Sequence, residues 1–129
     1  MKEEEFNTLT GRIIGAAIEV HKQLGCGLLE SVYENCLVSE LKAKGLSVHQ
    51  QVRLPVCYKG KMLEKELVID IPVENEVIIE LKAVETVIPL HKSQLLSLLR
   101  LSGKHLGLLI NFDVVRLKEG IHRVINGRR

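Results

Sequence analysis

Three charged residues, Asp70, Glu80 and Lys82, are spaced so that their side chains could act together in catalysis. Glu80 and Lys82 stand two positions apart in a β-branched segment, so their side chains point to the same face of a predicted strand. Asp70 lies in the preceding segment. If the loop between the segments is centred on Asn75, residues equally distant from Asn75 lie opposite each other in an antiparallel pair. That register pairs Asp70 with Glu80.

Two carboxylates directly opposite each other on a sheet repel unless something positive lies between them. Mg²⁺ is typically held by one or two carboxylates, with waters and phosphate oxygens completing its shell. A lysine beside such a site, here Lys82, is suited to orient or deprotonate an attacking water, or to offset charge that develops on a phosphate. The trio therefore predicts metal-assisted chemistry on a phosphodiester.

Two helices are expected ahead of these strands, each with apolar residues at three-to-four spacing. Asn7 is predicted to cap the first helix, the glycines around Cys26 to end it, and Gly45 to end the second. Glu30 then falls in the first turn of the second helix. The apolar stripe of the first helix comprises Ile13, Ile14, Ala17, Ile18, His21 and Leu24. The stripe of the second comprises Leu29, Val32, Tyr33, Cys36, Leu37 and Leu41.

Three successive strands follow, which predicts an antiparallel meander. A third helix then begins at Pro89 and ends before Gly103, and its predicted apolar stripe comprises Leu95, Leu98, Leu99 and Leu101. A strand and a short last strand complete the chain. The predicted order is helix, helix, three strands, helix, strand, strand, which places the chain in the α/β (α+β) class. The strands are expected at residues 46–56, 62–73, 77–83, 106–112 and 121–125, with turns at 58–61, 74–76 and 118–120.

Composition limits the kind of protein. A chain of 129 residues suits one domain, expected to span 1–129, and 46% hydrophobic with 26% charged residues is typical of a soluble globular protein. No segment approaches the roughly 20 apolar residues of a membrane span, and the acidic start MKEEEF differs from a secretory signal, so we expect a cytoplasmic protein. The three cysteines form no paired motif.

The placement of Asp70 before Glu80-Leu81-Lys82 resembles the PD-(D/E)XK nuclease superfamily. The resemblance implies a restriction-endonuclease-like fold, with a mixed sheet flanked by helices. The proline of the superfamily name is absent, because Ile69 precedes Asp70 and Pro72 follows it. A narrower resemblance, covering roughly the whole chain, is to the small prokaryotic GxxExxY proteins. The segments that carry this narrower resemblance are 27–33 (GLLESVY), 77–85 (VIIELKAVE) and 108–112 (LLINF).

The resemblance implies roles for individual residues. Asp70, Glu80 and the backbone carbonyl of Leu81 would bind a divalent ion, Mg²⁺ or Mn²⁺, while Lys82 assists attack by water. Glu30 matches a helical glutamate that adds a ligand or a bound water, and Gln94 matches a glutamine that helps to hold the active site. The implied partner is nucleic acid, with DNA as the expected substrate.

Ordinary structural interpretations stand beside these functional ones. For Glu30 the alternative is a first-turn carboxylate that only interacts with the helix dipole, and for Gln94 it is a side chain that faces water. Tyr33 is either a packed ring or a substrate contact. Scattered lysines, whose commoner role is solubility, could instead form a phosphate-binding patch. They are Lys42, Lys44, Lys59, Lys61 and Lys65.

Two other functions therefore remain open at this point. One is a non-cleaving module that binds nucleic acid or a protein on the same fold, since so short a chain shows no long basic stripe. The other is a structural homo-oligomer.

Overall fold

The computed structural model of the protein describes residues 1–127, and three α-helices account for its helical part. They are α1 (Glu3–Leu24), α2 (Glu30–Ala43) and α3 (Pro89–Ser102). None of the described helices is long and apolar enough to cross a membrane. The predicted cap at Asn7 is wrong: α1 begins at Glu3, because three successive glutamates favour the positive end of the helix dipole, and Asn7 lies inside the helix.

The main sheet has four strands in the order β3-β4-β5-β6. Strands β4 and β5 are parallel and are joined through α3, whereas the other two pairs are antiparallel, which confirms the predicted mixed sheet. A short 3₁₀ helix at Leu117–Gly120 occupies the predicted last turn. The strands of this sheet are β3 (Ile71–Val73), β4 (Val77–Lys82), β5 (Leu106–Asn111) and β6 (Ile121–Ile125).

Helices cover both faces of this sheet, as expected of a restriction-endonuclease-like core. The larger apolar cluster joins α1 and α2 to one face, where alternate residues of β4, such as Ile79 and Leu81, are buried. The smaller cluster joins α3 to the opposite face through Ile78 and Leu109. Part of each predicted helical stripe is nevertheless solvent-exposed, because the helices pack through a narrower face than the stripes suggest. These exposed members are Ile18, Leu24, Leu29, Val32 and Leu101.

The predicted three-stranded meander is divided between two sheets. The first two strands, β1 (Val52–Tyr58) and β2 (Lys61–Ile69), pair only with each other among the described residues. The strand predicted from residue 46 starts six residues later, with only an isolated bridge between Val48 and Val73 before it. The turn predicted around residues 58–61 is confirmed.

The strand predicted at 62–73 breaks at Asp70, which is a bend between β2 and β3. Ile69 packs in the α3-side cluster and Ile71 in the cluster on the opposite face, although residues two apart share one face of a regular strand. The predicted common face of these two isoleucines is therefore wrong. At the bend the side chains change faces, and Asp70 lies between the β1–β2 and β3–β4 hairpins.

The register of the second hairpin agrees with the sequence prediction. Ile71 pairs with Ile79 and Val73 with Val77, around a turn at residues 74–76. The position opposite Glu80 is therefore Asp70, one residue beyond the last backbone pair.

Tyr33 holds the connection that leads into α2. Its ring is buried and stacked on Phe112, with centroids 4.5 Å apart. Its hydroxyl donates to the carbonyl of Gly25 at 2.7 Å and accepts from the N–H of Leu28 at 3.2 Å. Of the two interpretations of Tyr33, the structure supports the packed ring, which fixes the segment preceding Glu30.

We predict that Tyr33→Phe lowers the free energy of unfolding by about 1–3 kcal/mol, because the carbonyl of Gly25 and the N–H of Leu28 lose a buried partner. Urea unfolding measures the change. Tyr58→Phe, at a tyrosine 61% exposed on the first hairpin, is the matched control and should leave stability nearly unchanged. Equal effects of the two substitutions would contradict this role.

Candidate active site

Asp70 and Glu80 meet where the β3–β4 ladder ends. The backbone N–H of Asp70 donates to Oε1 of Glu80 at 3.2 Å, and the N–H of Leu81 donates to Oδ2 of Asp70 at 3.0 Å. Each carboxylate therefore accepts a backbone hydrogen bond at the point where strand pairing would otherwise continue. This exchange brings together the two carboxylates that the sequence predicted to be opposite.

Glu80 is electrostatically unfavourable as an anion in the protein without a bound cation. Its pKa is raised to about 8. Burial is the largest cause and the neighbouring Asp70 carboxylate the second, whereas Lys82 is among the groups that lower the pKa. Glu80 is therefore largely protonated near neutral pH. A divalent cation between the two side chains would favour the ionised form, because an opposite charge lowers the pKa of a carboxyl.

Leu81 and Lys82 complete the end of β4. The Leu81 side chain is buried, and its N–H points toward Asp70. In an extended strand the N–H and C=O of one residue point to the same edge, so the Leu81 carbonyl faces the Asp70 side. Lys82 is half-buried, and its ammonium acts on Glu80 by lowering the pKa of that carboxyl.

Asn111 fixes the chain that leaves Lys82. This buried side chain accepts from the N–H of Val84 at 3.0 Å and donates to its carbonyl at 2.8 Å. The N–H of Phe112 donates to the Lys82 carbonyl at 2.9 Å. Since Asn111 and Phe112 belong to the LLINF segment singled out in the sequence, part of that motif has a structural explanation.

Glu30 is the first residue of α2 and reaches the same end of β4. Its Oε1 accepts from the N–H of Ala83 at 3.3 Å, although the side chain is exposed. The structure thus brings Glu30 beside the Glu80-Leu81-Lys82 segment. Gln94 is exposed on α3, and in the described part of the chain no hydrogen bond connects it to Asp70, Glu80 or Lys82.

Gln51, which contacts Asp70, and Glu34, which contacts Gln51, were not identified from the sequence. Gln51 donates from Nε2 to Oδ1 of Asp70 at 3.2 Å and to Oε1 of Glu34 at 2.8 Å. Glu34 could have been suspected, because it stands one helical turn after Glu30 and shares its face. Gln51 carries no comparable signal, since nothing in the sequence indicates that it contacts a residue 19 positions later.

The donor set fits a hard divalent cation. Asp70, Glu80 and the Leu81 carbonyl offer oxygen atoms only, which Mg²⁺ and Mn²⁺ accept, and Mg²⁺ commonly retains several waters. Over residues 1–127 no group of three or more His, Cys, Asp or Glu side chains is arranged to hold a metal ion. Asp70 and Glu80 would therefore supply the carboxylates of a site completed by water and substrate.

Comparison with protein families agrees with this geometry. The family model of the PD-(D/E)XK nuclease superfamily matches residues 7–124, and the chain belongs to this superfamily. Membership indicates a nuclease, an activity for which such proteins generally use divalent metals, and it implies a nucleic-acid substrate. Searches of curated proteins and of solved structures give no match.

We predict that Glu80→Gln stabilises the metal-free protein more as the pH rises from about 4.5 to 8. The folded protein holds the Glu80 proton that the unfolded chain releases in this interval, so the parent's free energy of unfolding falls with rising pH and the loss is complete above about pH 8. Glutamine mimics the protonated side chain and removes this dependence.

Urea unfolding in EDTA at pH 5, 7 and 9 measures the difference between the parent and Glu80→Gln. Glu64→Gln, on the exposed part of β2, controls for the removal of one carboxylate. A stability difference between the parent and Glu80→Gln that stays constant across the three pH values would show that Glu80 does not retain its proton.

Proposed function

We propose that this protein is a metal-dependent nuclease that hydrolyses phosphodiester bonds of nucleic acid, with DNA as the expected substrate. The observation that carries the proposal is the reciprocal contact of Asp70 and Glu80 at the end of β4, with Lys82 on the same strand. The narrower GxxExxY family and a cytoplasmic location are parts of the same proposal, and they rest on the sequence.

Asp70, Glu80 and the Leu81 carbonyl are the proposed ligands of Mg²⁺ or Mn²⁺. The bound ion would supply Lewis-acid activation of the phosphoryl oxygen. The ammonium of Lys82, half-buried beside Glu80, is proposed to orient the attacking water and to offset negative charge on the phosphate. Glu30 would assist from the start of α2, whereas the role of Gln94 rests on the family resemblance alone.

The β1–β2 hairpin is the proposed contact with the nucleic-acid backbone. Residues 57–68 are all exposed, and the tip segment 57–65 carries Lys59, Lys61 and Lys65 against Glu64, a net charge of +2 that equals the charge of the whole chain. A two-stranded ribbon fits the major groove of duplex DNA. Because β2 leads directly into Asp70, its nine residues would extend the contact roughly 30 Å from the site.

Asp70→Ala and Lys82→Ala are each predicted to lower the cleavage rate by at least about 100-fold, because each removes a side chain placed in the reaction. Labelled duplex DNA, single-stranded DNA and RNA are incubated with the protein and Mg²⁺ or Mn²⁺. Lys22→Ala, at an exposed lysine of α1, is the control and should cleave like the parent. Circular dichroism checks that all variants fold. Full activity of the Asp70 and Lys82 variants would overturn the assignment.

A non-cleaving binding module is the second candidate function. It is favoured by the small number of acidic ligands, since among residues 1–127 no group of three or more His, Cys, Asp or Glu side chains is arranged to hold a metal ion. Salt-sensitive binding of the substrate panel, with intact divalent-ion binding and no cleavage under either metal, would select this function over the nuclease.

Substitution of both Lys61 and Lys65 by alanine should weaken DNA binding and lower the magnitude of the slope of log K against log salt by about 2, one phosphate contact for each lysine. Fluorescence anisotropy over a salt series, in EDTA, gives both quantities. Lys42→Ala with Lys44→Ala removes the same charge from the end of α2 and should change the slope little. Equal slopes for both pairs would exclude the hairpin as the contact.

A further inference from the structure

Gln51 has an unusual backbone conformation immediately before β1. Its φ is +50°, in the left-handed region that residues other than glycine seldom adopt. In proteins generally, residues with such a strained backbone cluster at functional sites. Its N–H donates to the backbone carbonyl of Asp70 at 2.8 Å. The backbone of Gln51 is thus attached to Asp70 at the bend between β2 and β3.

The Gln51 side chain contacts the carboxylate of the same aspartate. Nε2 lies 3.2 Å from Oδ1 of Asp70 and 2.8 Å from Oε1 of Glu34, so the two N–H donors of one amide serve two carboxylates. Since the N–H of Leu81 donates to Oδ2 of Asp70, each oxygen of this carboxylate accepts one hydrogen bond. The rotamer of Asp70 is therefore held from both sides.

Glu34 is held in turn by a second glutamine. Its Oε2 accepts from Nε2 of Gln50 at 3.0 Å, and the same nitrogen donates to Oδ1 of Asn35. Gln50 therefore contacts α2 but has no hydrogen bond to Asp70 in the described chain, whereas its neighbour Gln51 bridges α2 and Asp70. The two adjacent glutamines differ in the one contact that matters for the site.

We propose that Gln51, anchored by Glu34, is a positioning residue that fixes the Asp70 carboxylate for divalent-ion binding. The inference rests on the proposed function, because it assigns Asp70 as a metal ligand. Gln51 acts through Asp70 and leaves one lone pair on each Asp70 oxygen for the ion. Loss of a partner that orients a metal ligand typically weakens metal affinity 10- to 100-fold.

Gln51→Asn is the test substitution. Asparagine tolerates positive φ, so the backbone is retained, but its side chain is one methylene shorter and cannot bridge Glu34 and Asp70. Gln50→Asn is the matched control at the adjacent residue. Titration calorimetry with Mn²⁺ alone should give a 10- to 100-fold higher Kd for Gln51→Asn and a change below about threefold for Gln50→Asn.

Cleavage kinetics provide a readout that a purely structural role would not change. Gln51→Asn should cleave slowly at low Mn²⁺ and regain most of the parent rate at saturating Mn²⁺, while the KM for the nucleic acid stays near the parent value. Parent-like Mn²⁺ affinity of Gln51→Asn, or equal losses in the two glutamine variants, would overturn the proposal.

A double-mutant cycle in EDTA separates failure of this inference from failure of the proposed function. Gln51→Asn and Asp70→Ala remove the same contact, so the double variant should shift the urea midpoint by less than the sum of the two single shifts. If the parent binds no Mn²⁺, the proposed metal site fails, and coupling in this cycle still supports the positioning contact. Additive shifts overturn it whatever the metal result.

Discussion

The structure around the site depends on the end of one backbone ladder. The pairing of β3 with β4 stops at Ile71 and Ile79, and the next opposed residues, Asp70 and Glu80, satisfy backbone N–H groups with carboxylate oxygens instead. Buried N–H groups need partners, so this arrangement holds two carboxyl groups together although their ionised forms would repel. Burial, and then the neighbouring Asp70 carboxylate, raise the pKa of Glu80 at this point. A site of this kind is suited to a cation that reverses the repulsion.

The β1–β2 hairpin and helix α2 both meet the main sheet at this site. The bend at Asp70 turns the chain from the exposed β1–β2 hairpin into the main sheet, so the hairpin is connected to the site without an intervening loop. Helix α2 reaches the site twice, through Glu30 at the N–H of Ala83 and through Glu34 at Gln51. Tyr33, between these two glutamates, is buried against Phe112 and holds the start of the helix. Packing and site geometry therefore depend on the same helix.

The surroundings of Glu80 affect its ionisation in two opposite ways. Burial makes the anionic form of Glu80 unfavourable, while Lys82 acts in the opposite direction, as a divalent cation would. Burial and neighbouring charges commonly shift pKa values at active sites, so carboxyl groups with perturbed pKa values often mark functional sites. Membership of the PD-(D/E)XK nuclease superfamily and the geometry of Asp70, Glu80 and Lys82 point to the same class of chemistry.

Features that depend on local pattern could be predicted from the sequence alone. These were the three helices and the register that places Asp70 opposite Glu80, because side chains alternate along a strand and a three-residue turn fixes the pairing. Tertiary packing fixes the separate β1–β2 sheet and the reversal of faces at Asp70, since both depend on contacts with distant elements. It also decided the contacts of Gln51 and Glu34 near Asp70. Hydrogen bonds between residues far apart in sequence leave no periodic signal along the chain.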